Sequence, residues 1–175
     1  MINGDTKGEA NETFNVNLSG ATNGATISDA QVVGTITNDD AGVIVGSDGN
    51  DTLTGGDGND VLDGRGGIDT LFGGAGGDTF VFGDKMEADG DTVMDFVHGV
   101  DELDFHLVDA REFRSGDQAF RFDGYDAGKH RNGDLWLAED QANNVTHVYA
   151  DTGPTVFHVN LTGTNLGLTA SDFIL

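Results

Sequence analysis

Four aspartates, Asp51, Asp60, Asp69 and Asp78, recur every nine residues, and each closes a glycine-rich turn. The four units run 46–54, 55–63, 64–72 and 73–81, with Gly at positions one and four, Asp at six and a large apolar residue at eight. Glycine lets a backbone turn tightly and aim its carbonyl oxygens inward. Calcium takes six to eight oxygen ligands in forgiving geometry. One such turn supplies too few oxygens, but two stacked turns supply carbonyls from both and two carboxylates. Residue type and spacing together therefore point to calcium ligation.

The elements that must hold these turns are short. After each Asp comes a triplet with one large apolar side chain at its centre, which reads as a minimal strand over a narrow core. Val43–Val45 reads as a lead-in strand. Downstream the repeat ends, but β-like patterns predict strands at 92–97, 102–105, 118–122, 135–137, 145–149 and 155–161, several of them alternating cleanly with one buried and one wet face. A short helix is expected at 109–113. Upstream, 13–18 and 30–37 read as two strands around a loop.

The chain has 175 residues, 31 of them acidic and 8 basic, for a net charge of -23. Only six acids are Glu, so Asp dominates, which suits turns and hard-cation ligation better than helices. The 28 Gly and single Pro fit turns better than a proline-rich disordered tail. The charge argues against nucleic acid and anionic membrane surfaces as partners. It also predicts self-repulsion unless cations neutralise it. There is no Cys, so no disulfide or thiolate site is available. No apolar run approaches a membrane span, and the N-terminus lacks a basic-then-apolar leader.

The nonapeptide Gly-Gly-x-Gly-x-Asp-x-U-x resembles the calcium-binding β-roll repeat of RTX (hemolysin-type) proteins. The resemblance implies a flattened right-handed roll whose stacked turns lie two units apart. One implied ion joins Asp51 and Asp69, with the carbonyls of Ser47, Gly49, Gly64 and Gly66. The other joins Asp60 and Asp78, with the carbonyls of Gly56, Gly58, Gly73 and Ala75. The implied core column is Leu53, Leu62, Leu71 and Phe80. Ser47 and Arg65 stand where the repeat has its second Gly, a position that works through a backbone carbonyl. Asp48 and Asp57 are candidates for further ligation or for solvation.

The region after the array resembles the C-terminal region of serralysin-type secreted proteins, through Asp91–Phe96, Gly99–Phe105, Ala119–Phe122, Gly133–Leu137, Val148–Thr152 and the terminal Leu168–Leu175. This implies a β-sandwich completing the roll and an uncleaved C-terminal type I secretion signal ending in Asp172-Phe-Ile-Leu175. Asp95, Asp101 and Asp104 are candidates for one more calcium near the end of the roll. Residues 1–40 resemble the C-terminal half of a Calx-β domain, through Gly4–Thr6, Glu9–Phe14, Asn23–Ile27 and Gly34–Asp40.

The expected fold is therefore all-β: a partial Calx-β-like segment (1–40), a parallel β-roll of calcium repeats (43–82) and a serralysin-like β region (83–175). No zinc-protease His-Glu-x-x-His, nucleophile elbow, P-loop or dinucleotide motif is present. The five His are scattered, although His147 and His158 could meet on adjacent strands, and Trp136 is expected in the core. The leading expectation is a non-catalytic, secreted, extracellular module. It folds on calcium and is handled by the type I secretion apparatus. Alternatives are a fragment of a calcium-dependent adhesin or matrix-binding protein, and the C-terminal part of a secreted hydrolase. The two N-terminal strands, with an open edge, are expected to allow self-association.

Overall fold

The computed structural model describes residues 12–23, 26, 31–36, 40–111, 118–125 and 128–175. Two sheets pack face to face. The first holds β3 (Val43–Val45), β5 (Val61–Asp63), β7 (Thr79–Val81), β9 (Glu102–Asp104) and β14 (Phe173–Ile174), in the order β14-β9-β7-β5-β3. The second holds β4 (Thr52–Gly56), β6 (Thr70–Gly74), β8 (Thr92–Val93), β10 (Arg121–Tyr125), β11 (Asp134–Asp140), β12 (Val145–Asp151) and β13 (Val156–Thr162). Its order is β10-β11-β12-β13-β8-β6-β4.

Successive repeat strands alternate between the two sheets, so strands two units apart become parallel neighbours. Leu53 pairs with Leu71, and Leu62 with Phe80. The same register continues past the repeats, with Leu71 opposite Val93 and Phe80 opposite Leu103. β8 then pairs in parallel with β13, and from there the sheet turns antiparallel through β12 and β11. Roll and sandwich thus share one continuous seven-stranded sheet across the expected boundary near residue 82.

The core changes character along the molecule. In the roll it is one apolar side chain per triplet: Leu62, Leu71 and Phe80 are fully buried, while Leu53, at the open end, is only partly covered. Beyond the roll it widens into an aromatic cluster. Phe105 stacks on Phe82 with centroids 4.9 Å apart and also meets Phe120, Phe157 and Phe173. The long antiparallel strands explain this widening, because they present alternate residues such as Leu135, Leu137, Val148, Ala150, Val159 and Leu161 to the same core.

Several expectations shift. The strand expected at 92–97 is only two residues long; after it Asp95 accepts from Gly73 N, and Asp101 Oδ2 accepts from Val97 N in the turn that follows. The strand expected at 118–122 lies at Arg121–Tyr125. Residues 109–111 leave the helix pattern for a turn held by Asp109 Oδ1, which accepts from Arg111 N at 2.9 Å, and 112–113 lie outside the described residues. Trp136 is not in the core: it stands half-buried on the outer face, stacked between His130 and Tyr149.

The two N-terminal strands form as expected, as an antiparallel pair of β1 (Glu12–Asn17) and β2 (Gln31–Ile36). Phe14, Val16 and Val32 are exposed on it. Most residues that carry the Calx-β resemblance, including 4–6, 9–11, 24–25 and 37–39, lie outside the described residues.

Candidate metal centre

The position-six aspartates form two ladders, one along each edge of the roll. On one edge, Asp51 N donates to Asp69 Oδ1 at 2.8 Å, and Asp69 N donates to Asp91 Oδ1 at 2.8 Å. On the other, Gly42 N donates to Asp60 Oδ1 at 2.7 Å, Asp60 N to Asp78 Oδ1 at 2.8 Å, and Asp78 N to Asp101 Oδ1 at 2.9 Å. One carboxylate oxygen of each rung is thereby fixed by the backbone of the preceding turn.

The second oxygen is left over. Oδ2 of Asp60, Asp69 and Asp78 is buried and has no hydrogen-bond partner. A buried carboxylate oxygen with no donor costs on the order of 1–3 kcal/mol or more, and an uncompensated charge costs further. Each lies beside a glycine, Asp69 on one edge and Asp60 and Asp78 on the other, and lines an acceptor-rich cradle on its own edge. A Cβ on Gly64 would collide with Asp69 Oδ2, and one on Gly73 with Asp78 Oδ2. Glycine is needed at position one because the carboxylate occupies the space a side chain would fill.

The cradle is electrostatically frustrated. Burial, then repulsion from Asp101, Asp60 and Asp95, pushes Asp78 up to about 6, against a bond from Asp60 N that pulls it down. Burial raises Asp69 in the same way, with Asp51 and Asp63 adding to it. Asp91 is pushed up to about 7, mostly by burial, with Asp69, Asp89 and Glu87 contributing. Asp51 differs. Ser47 N and Ser47 Oγ donate to its Oδ2 at 2.6 and 2.8 Å, which lowers its pKa. The serine that replaces glycine at position two therefore satisfies the exposed first rung.

The structure brings the expected residues together unevenly. Asp51 with Asp69, and Asp60 with Asp78, are adjacent rungs. Ser47 O accepts from Gly66 N at 3.3 Å and Gly56 O from Ala75 N at 2.8 Å, so turns two units apart do stack. Gly49 and Gly58 lie against the turns of Gly67 and Gly76 respectively. Asp48 and Asp57 are exposed. Asp95 accepts from Gly73 N and Gly74 N at 2.9 and 3.0 Å, and Asp101 Oδ2 accepts from Val97 N at 2.7 Å, so both join the Asp78 turn. Asp104 instead accepts from His106 N at 3.0 Å and pairs with the His106 ring.

Against known families, residues 12–175 match the model described as "Peptidase M10 serralysin C terminal". The chain belongs to the serralysin C-terminal family. Two solved structures are similar to it. The AlgE6R3 subunit of the Azotobacter vinelandii mannuronan C5-epimerase is 24% identical, with 78% of each chain covered and a TM-score of 0.49. The AlgE6R2 subunit of the same enzyme is 22% identical, with 79% of this chain and 92% of that chain covered and a TM-score of 0.39. No curated protein matches.

RTX-type repeats of this serralysin C-terminal family typically bind calcium, and the residues here fit that ion. The donors are all oxygen, and the buried Oδ2 atoms of Asp60, Asp69 and Asp78 have no hydrogen-bond partner. Sequence reasoning missed Asp91. The signal was present, because Asp-x-apolar recurs at 91–93 and 101–103. It was hidden because the rung spacing grows from 18 residues to 22 and 23. Stacking requires only that the strands meet in register, so loops of extra residues are tolerated between rungs.

Proposed function

We propose that this chain is a calcium-dependent folding module of a secreted protein, with calcium held between stacked turns by the residues named above. The unpartnered, buried Oδ2 atoms of Asp60, Asp69 and Asp78 carry this reading. Calcium bound there replaces repulsion with ligation. Without it, a core one side chain wide has little to set against chain entropy. Folding then tracks calcium, with a midpoint on the order of 10⁻⁴–10⁻³ M, as in extracellular modules. The chain is unfolded where calcium is scarce and folds where it is abundant, the order of events that threading through an exporter needs.

The C-terminal residues, on this reading the type I secretion signal, support the same order. In the folded chain Asp172 is fully buried. Its carboxylate accepts from Gly99 N at 2.8 Å and Thr169 N at 2.7 Å and pairs with His98. Phe173 pairs with Leu103 in the sheet. A signal built into the fold is readable only before folding. The test is far-UV circular dichroism during a calcium titration, with magnesium as control. A cooperative coil-to-β transition specific to calcium and weakened by Asp60→Ala is expected. A full β spectrum in chelator, unchanged by calcium, would overturn the reading.

A further inference from the structure

Away from the oxygen-lined ladders, the outer face of the seven-stranded sheet carries a group of nitrogen donors. His147 on β12 and His158 on β13 lie diagonally across an antiparallel pair, since Asn160 faces His147 and Tyr149 faces His158. Their ring centroids are 5.7 Å apart, with planes at 68°. An imidazole bound through a ring nitrogen at about 2.0–2.1 Å holds its centroid roughly 3.2 Å from the ion, so two rings sharing one ion stand about 5–6 Å apart. The observed separation lies within that range.

The δ nitrogens of both rings are already committed. Asn160 Nδ2 donates to Gly90 O at 3.3 Å, which orients the amide so that its Oδ1 faces His147 Nδ1 at 2.7 Å. An acceptor there makes Nδ1 the protonated nitrogen of neutral His147 and leaves the lone pair on Nε2. His158 Nδ1 lies 3.0 Å from Asp89 Oδ1, which also accepts from His158 N at 3.1 Å. That carboxylate fixes the same tautomer. An imidazole held through Nδ1–H by an oxygen acceptor, with Nε2 free, is the usual outer-shell arrangement of a metal-binding histidine.

We propose that His147 and His158 form a site for a divalent transition ion of the zinc, copper or nickel class, with water completing the coordination. The site is chemically distinct from the calcium ladders, because imidazole selects borderline ions whereas carboxylate and carbonyl oxygens select hard ones. Tyr149 forms one wall, with its ring 5.7 Å from His147 and 5.5 Å from His158. The protein's net charge of -23 concentrates dications at its surface.

A second cluster, Asp123, His130 and Asp134, brings three donor atoms within 4.8 Å of one another. It is built differently. Arg121 Nε and Nη2 donate to Asp134 Oδ1 at 3.0 and 2.9 Å, and Arg131 N donates to Oδ2 at 2.7 Å. Both oxygens of the buried carboxylate are thus engaged, and a fixed positive charge stands beside them.

The test is a Zn2+ titration of the calcium-saturated full chain, followed by calorimetry and by the ring-nitrogen NMR shifts of the histidines. One zinc per chain is expected, moving the Nε2 resonances of His147 and His158. Excess calcium should not displace it. His147→Gln and His158→Gln should each weaken binding about tenfold or more, Asp89→Asn should weaken it less, and His130→Gln should leave it unchanged. The ring-nitrogen shifts of the unsubstituted protein give the answer even where a variant misfolds. Loss of binding in His130→Gln alone, displacement of zinc by calcium, or no saturable zinc would each overturn the proposal.

Discussion

The two halves of the molecule share one sheet but are held by opposite means. In the roll, each turn from the second onward adds one buried apolar side chain and one buried carboxylate, so its attraction and repulsion grow together. In the antiparallel half, β11–β13 exchange long hydrogen-bonded registers, and four Phe rings gather around Phe105. On the proposed function the first region relies on a cation for stability, whereas the second needs only to exclude water. Regular repetition alone therefore does not make a stable element. The sign of the charge it stacks matters as much as the register.

Removing calcium should break this comparison most visibly. In chelator, amide exchange of Asp51, Asp60, Asp69 and Asp78, whose N–H groups bond the ladders, should become as fast as in the unfolded chain. If β11–β13 retain protection, the aromatic half stands alone. If they lose it too, the shared sheet makes the two halves one cooperative unit. Next in size is Phe105→Ala, which deletes the ring at the centre of the cluster and should cost about 3–5 kcal/mol. Measured by denaturant unfolding in calcium, a loss below about 1 kcal/mol would mean that the aromatic half is not what holds that end together.

Asp78→Asn sharpens the contrast. The amide keeps an oxygen that can accept from Asp60 N but removes the charge. Calcium affinity should fall about tenfold or more, about 1.4 kcal/mol, while the calcium-free chain should become more stable because the repulsion from Asp60, Asp95 and Asp101 is gone. A calcium titration and the β signal remaining in chelator, both by circular dichroism, read the two signs separately. A variant destabilised in both conditions would show that hydrogen bonding, not charge, is the function of the rung.

The smallest effect is a pH dependence. Asp78 at about 6 and Asp91 at about 7 are raised above the ordinary Asp value. The calcium-free folded chain therefore binds more protons than the unfolded one. That contribution is fully present below pH ~4 and is lost as pH rises through 6 and 7. In chelator, the residual β signal in far-UV circular dichroism should therefore be larger at about pH 5 than at about pH 7.5. With calcium the order reverses, because protons compete for the same oxygens, and apparent affinity should fall as pH drops through 7 and 6. A spectrum in chelator that is unchanged across that range would mean these carboxylates do not titrate with folding.

Much of this was legible in the residues. The nonapeptide period set the turns and the triplet strands, and the resemblance to the RTX repeat implied partners two units apart. Leu62, Leu71 and Phe80 were identifiable as core from position eight alone. Asp91 was not, because its spacing departs from the repeat and only pairing with β6 shows that it continues the ladder. Asp104, a ligand candidate near the end of the roll, bonds His106 through Oδ1, a contact that only the structure shows. The helix expected near 109 gave way to a turn because Asp109 captures Arg111 N, a local bond that competes with helix formation.

By itself, the sequence determined the local chemistry: which residues turn, which bring carboxylates and which fill a narrow core. Those depend on contacts within nine residues or on a strict repeat of them. Only the tertiary structure decided which carboxylate oxygens are satisfied and which are stranded, how the ladders extend beyond the array to Asp91 and Asp101, and that the C-terminal strand closes the five-stranded sheet. It also brought His147 and His158 together with supports from Asn160 and from Asp89, 69 residues from His158 in sequence. Burial and hydrogen-bond satisfaction are properties of the whole packed chain, and a distant loop supplies or withholds the last partner.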